Sequence, residues 1–507
     1  MSIEEKEQRA KRLLQAFKDH PFSRREFLEK SGVGFGMAAL TFLLGQDKVL
    51  SGSPINPLAS KPQHFPAKAK SVIWLFMAGG PSHIDTFDPK PLLHKLNGQR
   101  MPESFGTVNA QFTNVKEAPI LASGQTFKKY GKSGLEISGV FPELAKHADD
   151  LAVIRSCYHD AFNHAPAQYV VTTGQALLGK PSVGAWVIYG LGSESQSMPA
   201  FVVMLSGAIK SGPPAFGSGF LPAMYQGTVL RATGTPILNL TPAAEIGSRR
   251  QREMIDLINW HNESHLAARG ADSDLSARIA SYELAYRMQT EAPEVMDISS
   301  ESLATRRLYG VDEPETQDYG AKCLLARRLV EKGVRFIQVY SGNSLLDMRE
   351  DWDGHQYCDS LHQKMGRRVD KPISGLLTDL KQRGLLEETL VIWGGEFGRT
   401  PVTDGNAGNG RDHNPYGFTM WMAGGGVRGG KLIGATDELG LRAVEQPKHI
   451  HDIHATLLSL LGVDHKKLTF LFQGRQQRLT DVGGDHEFSG SCLPDSTRPY
   501  CLPLGTA

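Results

Sequence analysis

The chain has few cysteines, and none of them form the closely spaced pairs that structural zinc sites use. Its 507 residues include five cysteines, at positions 157, 323, 358, 492 and 501. A zinc knuckle is built from cysteine pairs that are separated by only about two to four residues. The spacing therefore argues against a structural zinc site based on cysteine.

The chain also lacks an excess of charge of either sign. It carries 55 Lys and Arg residues against 54 Asp and Glu residues, which gives a formal net charge of +1. Proteins that bind nucleic acid or anionic surfaces usually carry a basic excess. We therefore predict no nucleic-acid partner.

No apolar run is long enough to cross a membrane comfortably. Residues 33–45 (VGFGMAALTFLLG) form a charge-free apolar stretch, but a spanning helix needs about 20 such residues. The stretch follows a polar segment that ends in the motif SRREFL at residues 23–28, which contains Arg24 and Arg25. This layout is typical of a twin-arginine signal peptide.

The N-terminal layout predicts export by the twin-arginine machinery to the periplasm or the cell exterior. Residues 1–45 are the predicted signal peptide, and residues 46–70 are the predicted spacer. An ordinary amphipathic helix with an incidental arginine pair is the alternative. Cleavage is left open, because an uncleaved signal anchor is also compatible with the layout. In either case the signal segment is the one predicted contact with the membrane.

Short apolar segments alternate with helical patterns along the rest of the chain, and this alternation predicts an α/β domain over residues 71–485. We expect a mostly parallel central sheet with helices on both faces. Residues 242–307 are long, charged and helical in pattern, so we predict a helical insertion there, and residues 486–507 form a C-terminal tail. The predicted strands are residues 71–77, 152–156, 201–205, 334–341, 390–394 and 418–423, and the predicted helices are residues 318–332, 360–383 and 450–461.

The unusual polar residues collect at the ends of these strands, where open α/β sheets bind their ligands. The first strand is followed by GGPSHIDTFD at residues 79–88. Ser82, His83, Asp85 and Asp88 in this segment supply metal ligands or a hydroxyl nucleophile. The competing interpretation is a Gly-Pro turn followed by a helix cap.

The second strand is followed by a loop with two histidines, His159 and His164. The fourth strand is followed by Asp353 and His355, which are separated by one glycine. Carboxylate oxygen and imidazole nitrogen suit zinc-like metals. Capping in the first case and a surface turn in the second are the structural alternatives.

The fifth strand is followed by a cluster that contains both acid and base. Glu396 follows the strand directly, and Arg399 and Arg411 are suited to an anion such as phosphate or sulfate. His413 stands shortly before the next strand. A structural network of arginines and carboxylates is the alternative. Because the clusters share one sheet edge, we predict a common metal and anion site.

Taken together, these segments resemble the exported family called domain of unknown function 1501, which is similar to the alkaline phosphatase and sulfatase superfamily. The resemblance covers residues 72–482. Its carriers are residues 76–91 (FMAGGPSHIDTFDPKP), 352–355 (WDGH), 395–401 (GEFGRTP), 411–414 (RDHN) and 478–482 (RLTDV).

The resemblance implies an alkaline phosphatase-like fold with a divalent metal, zinc or calcium, at the strand ends. It implies that Asp353, His355 and His413 hold this metal. Glu396, with Asp85 or His83, would complete a second position. Arg399 or Arg411 would neutralise the anion of a small sulfated or phosphorylated substrate. Ser82 and His164 are the candidates for nucleophile and acid/base.

Two departures from the superfamily pattern limit the activity that is implied. Formylglycine sulfatases need Cys or Ser in a C-x-P-x-R setting, whereas the similar stretch here, residues 163–168 (NHAPAQ), places His164 near that position and has no arginine. Phe397 stands where the superfamily has a second ligand after the carboxylate. We therefore predict a metal-dependent hydrolase of phosphate or sulfate esters that is not a conventional formylglycine sulfatase. The alternative is a non-catalytic binding or structural protein of the cell envelope on the same fold.

Overall fold

The computed structural model describes residues 58–106, 108–195, 197–231, 248–269, 288, 293–342, 350–404 and 409–484. The predicted signal peptide and the predicted C-terminal tail lie outside these residues, so both stay predictions. Within the described ranges, no helix combines the length and the apolar character that a membrane span requires.

The described elements follow the alternation that the sequence predicts. The strands are β1 (Ser71–Met77), β2 (Phe127–Tyr130), β3 (Leu135–Ser138), β4 (Leu151–Tyr158), β5 (Phe201–Met204), β6 (Thr228–Leu230), β7 (Phe336–Ser341), β8 (Thr389–Gly394), β9 (Gly398–Arg399), β10 (His413–Asn414), β11 (Phe418–Ala423), β12 (Lys431–Ile433), β13 (Ala435–Thr436), β14 (Ala443–Glu445), β15 (Lys448–His449), β16 (Phe470–Phe472) and β17 (Arg475–Gln477). The helices are α1 (His83–Thr86), α2 (Pro91–Leu96), α3 (His164–Thr173), α4 (Val183–Leu191), α5 (Ser248–Arg269), α6 (Leu303–Tyr309), α7 (Gln317–Glu331), α8 (Cys358–Gln382) and α9 (Ile450–Leu460).

A central sheet contains all six predicted strands, in the order β12-β4-β11-β8-β1-β7-β5-β6, and β15 also pairs with β4. Strand β1 runs parallel to β7 and β8, and β5 runs parallel to β6 and β7. Strand β11 runs antiparallel to both β4 and β8. The prediction of a mostly parallel α/β sheet is therefore confirmed.

The middle strands form because their sequences are almost entirely apolar, with Ser71, Thr389 and Thr419 as the polar exceptions. All residues of β1, β8 and β11 are buried. Strands that are buried on both faces read as continuous apolar runs rather than as alternating ones. The side chains of Trp393 and Trp421, from neighbouring strands, stack with ring centroids 6.2 Å apart. Helices or loops therefore cover both faces of the middle of the sheet.

The antiparallel direction of β11 determines at which edge of the sheet the residues before it lie. The parallel strands β1, β4, β5, β7 and β8 deliver the loops that follow them to one edge of the sheet. Since β11 runs the other way, the residues that precede it lie at the same edge. His413, five residues before β11, therefore reaches the loops that follow the parallel strands.

Helix α5 lies in a compact unit separate from the one that carries the sheet. Its position in the chain falls inside the predicted insertion of residues 242–307. It carries the ion pair Arg252–Asp256, four residues apart at 2.5 Å, of the kind that supports a solvated helix. The predicted domain boundaries stay predictions.

Candidate metal centre

Four side chains come together at the carboxyl edge of the sheet: His164, Asp353, His355 and His413. Each offers one nitrogen or oxygen ligand atom, and these atoms all lie within 4.8 Å of one another. Three of these residues are predicted metal ligands. The fourth, His164, is predicted from the sequence as a nucleophile or acid/base, but the structure groups it with the ligands.

The fold brings the four residues from three separate segments of the chain. His164 is the first residue of α3, which follows β4. Asp353 and His355 follow β7, and His413 lies in β10. Strand β10 pairs with β9, so that His413 is directly opposite Arg399. The short β9–β10 ladder therefore fixes the last ligand relative to the loop that follows β8.

The three histidines are oriented by oxygen atoms behind them. His164 Nδ1 lies 2.7 Å from Glu396 Oε1, and His355 Nδ1 lies 2.6 Å from Asp404 Oδ2. His413 Nδ1 lies 2.8 Å from the backbone oxygen of Phe162. Because these partners only accept hydrogen bonds, each Nδ1 carries the proton in the neutral ring. Metal-binding histidines use the same arrangement to present Nε2 to the ion.

When the three rings are neutral, their Nε2 atoms point into the centre and carry no proton. His355 Nε2 lies 3.0 Å from His413 Nε2. His164 Nε2 is buried and lies 3.0 Å from Asp353 Oδ2, but makes no hydrogen bond of acceptable geometry. Lone pairs at such distances repel unless a cation or a proton lies between them. The donor set of three imidazoles and one carboxylate therefore fits a divalent metal.

Asp353 carries negative charge in the middle of this group. Its burial opposes ionisation, but the Arg399 guanidinium, with Nη2 2.8 Å from Asp353 Oδ1, outweighs burial and holds the pKa of the carboxyl well below its usual range. Lys210 approaches from the other side, with Nζ 2.6 Å from Asp353 Oδ2. Asp353 is therefore ionised at neutral pH.

The histidines differ in their tendency to take up a proton. Burial and the neighbouring Arg399 lower the pKa of His355 and of His413, so these rings are neutral at pH 7. Burial also acts against protonation of His164, but the carboxylates of Asp353 and Glu396 overcome it and raise the pKa of His164. A proton on His164 and a metal at the centre therefore compete for the same lone pair.

Glu396 lies behind this group rather than within it. Its carboxylate is fully buried and accepts hydrogen bonds from the backbone N–H of Gly79 at 3.0 Å and from Gln168 Nε2 at 3.0 Å, in addition to its contact with His164. Glu396 therefore contacts His164 from behind and does not lie among the four residues that converge. The ring centroid of Phe397 lies 4.3 Å from that of His413 and 5.0 Å from that of His164.

The glycines after β1 allow the close approach that this arrangement needs. Gly79 has a φ of +109°, and a Cβ atom there would lie 2.6 Å from the backbone nitrogen of Asp353. Its N–H binds Glu396 and its carbonyl accepts a hydrogen bond from Arg399. A side chain at this position would push the Asp353 loop away. The first strand therefore contributes backbone contacts to the centre rather than a ligand.

The predicted site residues of the first loop are engaged elsewhere. Arg411 Nε lies 2.9 Å from Asp85 Oδ2, and Ser82 Oγ donates to the same oxygen at 2.5 Å. Burial opposes ionisation of Asp85, but Arg411 outweighs it and brings the pKa of Asp85 to about 2. His83 Nε2 lies 2.8 Å from the backbone oxygen of Gly440. These buried contacts match the alternative of a structural arginine–carboxylate network.

Arg399 is also held by the protein itself. It is fully buried, donates to the backbone oxygens of Gly79, Gly80 and Arg411, and pairs with Asp353. Its hydrogen-bonding capacity is therefore occupied by backbone and carboxylate.

Three further residues at the centre are not among the predicted site residues, and two of them, Lys210 and Asp404, had no signal in the sequence pattern. Lys210 comes from the loop after β5, and Asp404 comes from the segment between β9 and β10. Asp351 is buried, and its Oδ1 accepts a hydrogen bond from the backbone N–H of Asp353 at 3.0 Å. Burial, together with the neighbouring Asp353, raises the pKa of Asp351 to about 7. The aspartate two positions before Asp353 was the one readable hint, because it extends the WDGH motif to DWDGH.

The side chains at the centre differ in their exposure to solvent. The side chains of Lys210, His355 and His164 are 19%, 14% and 10% exposed, whereas that of His413 is 1% exposed. Lys210 and His355 therefore have the most exposed side chains of these four residues.

Several solved structures are similar to this chain at low levels of identity. A PsFucS1 sulfatase from Pseudoalteromonas sp. is 14% identical, with 82% of this chain and 72% of that chain covered and a TM-score of 0.34. The lipoteichoic acid synthase LtaP from Listeria monocytogenes is 10% identical, with coverages of 83% and 78% and a TM-score of 0.31. The alkaline phosphatase from the Antarctic bacterium TAB5 is 13% identical, with coverages of 71% and 92% and a TM-score of 0.29.

With scores this low, the structural similarities do not identify an activity for the chain. No curated protein matches the sequence. A family model does match, and it spans residues 69–488, which include the whole sheet and all four residues of the centre. The chain therefore belongs to the family described as protein of unknown function (DUF1501).

Proposed function

We propose that the chain is a metal-dependent hydrolase of phosphate or sulfate esters. The observation that carries this proposal is the convergence of three oriented histidines and one ionised aspartate beside the accessible Lys210. Imidazole-rich sets of this kind suit zinc and similar transition metals, whereas calcium prefers an all-oxygen shell. We therefore favour a zinc-like ion over calcium.

Each group of the centre has a defined part in the proposed reaction. A bound divalent metal would supply a Lewis acid for the ester and an acidic water. His164, His355, His413 and Asp353 are the ligands. Glu396 and Asp404 hold the His164 and His355 rings in place from behind.

Lys210 is the proposed binding group for the anionic ester. The sequence suggested Arg399 and Arg411 as the groups that bind the anion, but both are buried and paired with carboxylates. We therefore assign anion binding to the more exposed Lys210. Its ammonium is partly exposed, and its carboxylate partners among the described residues are Asp353 at 2.6 Å and, more distantly, Asp351 at 4.0 Å. A charge-assisted hydrogen bond to a phosphate or sulfate oxygen is the contact that this geometry favours.

The proposed nucleophile is water rather than Ser82, because the Ser82 hydroxyl is fully buried and donates to Asp85. In the proposed step, the water oxygen bonds to phosphorus or sulfur, and the bond from that atom to the leaving oxygen breaks. One proton of the water ends on the leaving alcohol, and the products are the free alcohol and the inorganic anion. No group outside the substrate, water and the centre is needed for this balance.

The experiment combines metal analysis with an ester panel. The purified protein is assayed for divalent metal by mass spectrometry, and then for hydrolysis of nitrophenyl phosphate and nitrophenyl sulfate. The variant Lys210→Met should keep the metal and raise KM about tenfold to a hundredfold, the range for a lost hydrogen bond between charged groups. Lys381→Met, at a surface lysine paired with Asp150 at 2.7 Å, is the matched control. Absence of stoichiometric metal from the wild type would overturn the proposal.

The non-catalytic alternative has one observation in its favour. Lys210, Arg399 and the raised pKa of His164 already balance the charge of Asp353 within the protein. An envelope protein that binds an anionic ligand at this centre would need no turnover. Stoichiometric metal together with complete inactivity toward both ester classes would favour this binding role.

We also propose that the chain is exported through the twin-arginine route. The support is the arginine pair and the apolar stretch within residues 1–45. Fusion of residues 1–70 to a reporter that is active only after export tests this directly. Replacement of both arginines, Arg24→Lys with Arg25→Lys, should retain the reporter in the cytoplasm, and continued export of that variant would contradict the proposal.

A further inference from the structure

The exposed aromatic side chains of the described residues lie near one metal ligand, one in space and one along the sequence. Among the large apolar side chains that are exposed in the described part of the chain, two are aromatic: Phe112 at 61% and Tyr357 at 60%. Phe112 contacts the ring of His355, and Tyr357 follows His355 by two positions. Exposure of a large aromatic ring opposes the hydrophobic effect, so such rings commonly mark binding surfaces.

Phe112 is fixed in place by the same residue that supports a metal ligand. Its ring meets the ring of His355 edge to face, with centroids 5.2 Å apart and an interplanar angle of 72°. The backbone N–H of Phe112 donates to Asp412 Oδ2 at 2.6 Å, and the other oxygen of Asp412 accepts the backbone N–H of His413 at 2.7 Å. Asp412 is fully buried. The buried carboxylate therefore ties the exposed ring to the loop of the metal centre.

Tyr357 is held in a backbone conformation that a bulky residue rarely adopts. It has a φ of 53° and a ψ of 41°, in the left-handed region, directly before α8. Its N–H donates to Asn409 Oδ1 at 3.1 Å. Left-handed backbone at a bulky side chain is energetically unfavourable and tends to persist at functional sites. The chain therefore keeps an exposed aromatic residue two positions after His355 at a conformational cost.

We propose that Phe112 and Tyr357 form an aromatic rim that binds the leaving group of the ester. The chemical class that fits such a rim is an alcohol with a flat apolar ring face, either an aromatic ring or a pyranose. Lys210 binds the anionic end, and the rim receives the ring at the other end of the same molecule. This inference rests on the proposed function, because it names the substrate class of that centre.

The experiment compares esters that differ only in the leaving group. Methyl, phenyl and pyranose esters are assayed, each as phosphate and as sulfate, so that the two sources of a ring are distinguished. The variant Phe112→Ala should lower kcat/KM about fivefold to tenfold for the ring-bearing esters and less than about twofold for the methyl esters. Phe112→Leu keeps apolar bulk without the aromatic ring, and Tyr357→Asn tolerates the left-handed backbone without the ring. Leu303→Ala, at an exposed apolar residue of α6 (67% exposed), is the matched control and should change neither class.

A binding measurement separates failure of the rim from failure of the hydrolase. Calorimetric affinities of the metal-loaded protein for phenylphosphonate and methylphosphonate should differ, and Phe112→Ala should remove the difference. If the wild type hydrolyses no ester but this preference is present and sensitive to Phe112, the rim stands and the hydrolase proposal fails. An equal loss on methyl and ring-bearing esters, or equal affinity of the wild type for the two phosphonates, would overturn the rim.

Discussion

His355 and His413 present their Nε2 atoms to each other across 3.0 Å, although the Nδ1 atom of each ring already faces an oxygen acceptor. With both protons on the Nδ1 side, two lone pairs meet in a buried space. A hydrogen bond between the rings would require one of them to give up its contact with Asp404 or with the Phe162 carbonyl. A cation between the two nitrogens removes this conflict without any rearrangement.

We expect one divalent transition metal per chain, bound through these two rings. The variants His355→Ala and His413→Ala should each lose the metal, because each removes one of the four ligand atoms. Chelation of the wild type should lower Tm, since a ligand at a hundred times its Kd stabilises the folded state by about 2.7 kcal/mol. Mass spectrometry measures the metal content, and thermal unfolding with and without chelator measures the change in Tm.

The control for the metal prediction is a histidine in a similar pair elsewhere. His147 lies 3.2 Å from Asp150 through its Nδ1 atom and is not part of the centre. His147→Ala should retain the metal. Equal metal loss in this control would indicate general unfolding rather than loss of a ligand.

The oxygen atoms behind the histidines should control metal affinity without binding the metal. Asp404→Asn replaces a carboxylate acceptor at 2.6 Å from His355 Nδ1 by an amide and allows the ring to turn. We expect metal affinity to fall about 10-fold to 100-fold, the range for loss of such a supporting partner. Competition with a chromophoric chelator measures the affinity. An unchanged affinity would mean that the Asp404 contact does not orient the ring.

The buried pair of Asp85 and Arg411 should act on stability rather than on the metal. Asp85→Ala leaves the Arg411 guanidinium buried without its carboxylate partner, and we expect a loss of about 3–5 kcal/mol in the free energy of unfolding. The milder variant Ser82→Ala removes one hydrogen bond to Asp85 and should cost about 1 kcal/mol. Denaturant unfolding measures both, and the folded fraction of each variant should keep its metal. Loss of metal in folded Ser82→Ala would mean that Ser82 and Asp85 take part in metal binding.

Much of the fold was predictable because buried strands appear in the sequence as continuous apolar runs. The predicted strand at residues 71–77 agrees with β1, and the one at residues 418–423 agrees with β11. The direction of β11 was not predictable, since an apolar run carries no sign of parallel or antiparallel pairing. That direction is what brings His413 to the carboxyl edge.

The site was predictable only where its residues form a short motif after a strand. Asp353 and His355 carry a short motif after a strand, and this signal survives in the linear sequence. Lys210 and Asp404 are single residues in loops, and only the folded chain places them beside the ligands. Glu396 shows a second limit. Its position after a buried strand suggests a functional residue, but the sequence does not show whether it binds the metal itself or orients a histidine that does.

His454 gives a test of how the core responds to acid. Its ring is fully buried in α9, its Nε2 donates to the backbone oxygen of Val171 at 2.8 Å, and its Nδ1 has no partner among the described residues. Burial, with the nearby His451, lowers the pKa of His454 to about 3. The unfolded ring titrates near 6.5, so below that pH the unfolded chain binds a proton that the folded chain does not.

Stability should therefore be complete above about pH 6.5 and fall as the pH drops toward 3, with His454 contributing a loss of about 2 kcal/mol by pH 5. The variant His454→Gln keeps an N–H donor for Val171 but does not titrate. We expect it to be less stable than the wild type at pH 7 and to lose about 2 kcal/mol less between pH 7 and pH 5. His94→Gln, at an exposed histidine, should leave the pH dependence unchanged. Parallel pH profiles of wild type and His454→Gln would show instead that this buried ring does not drive the acid sensitivity.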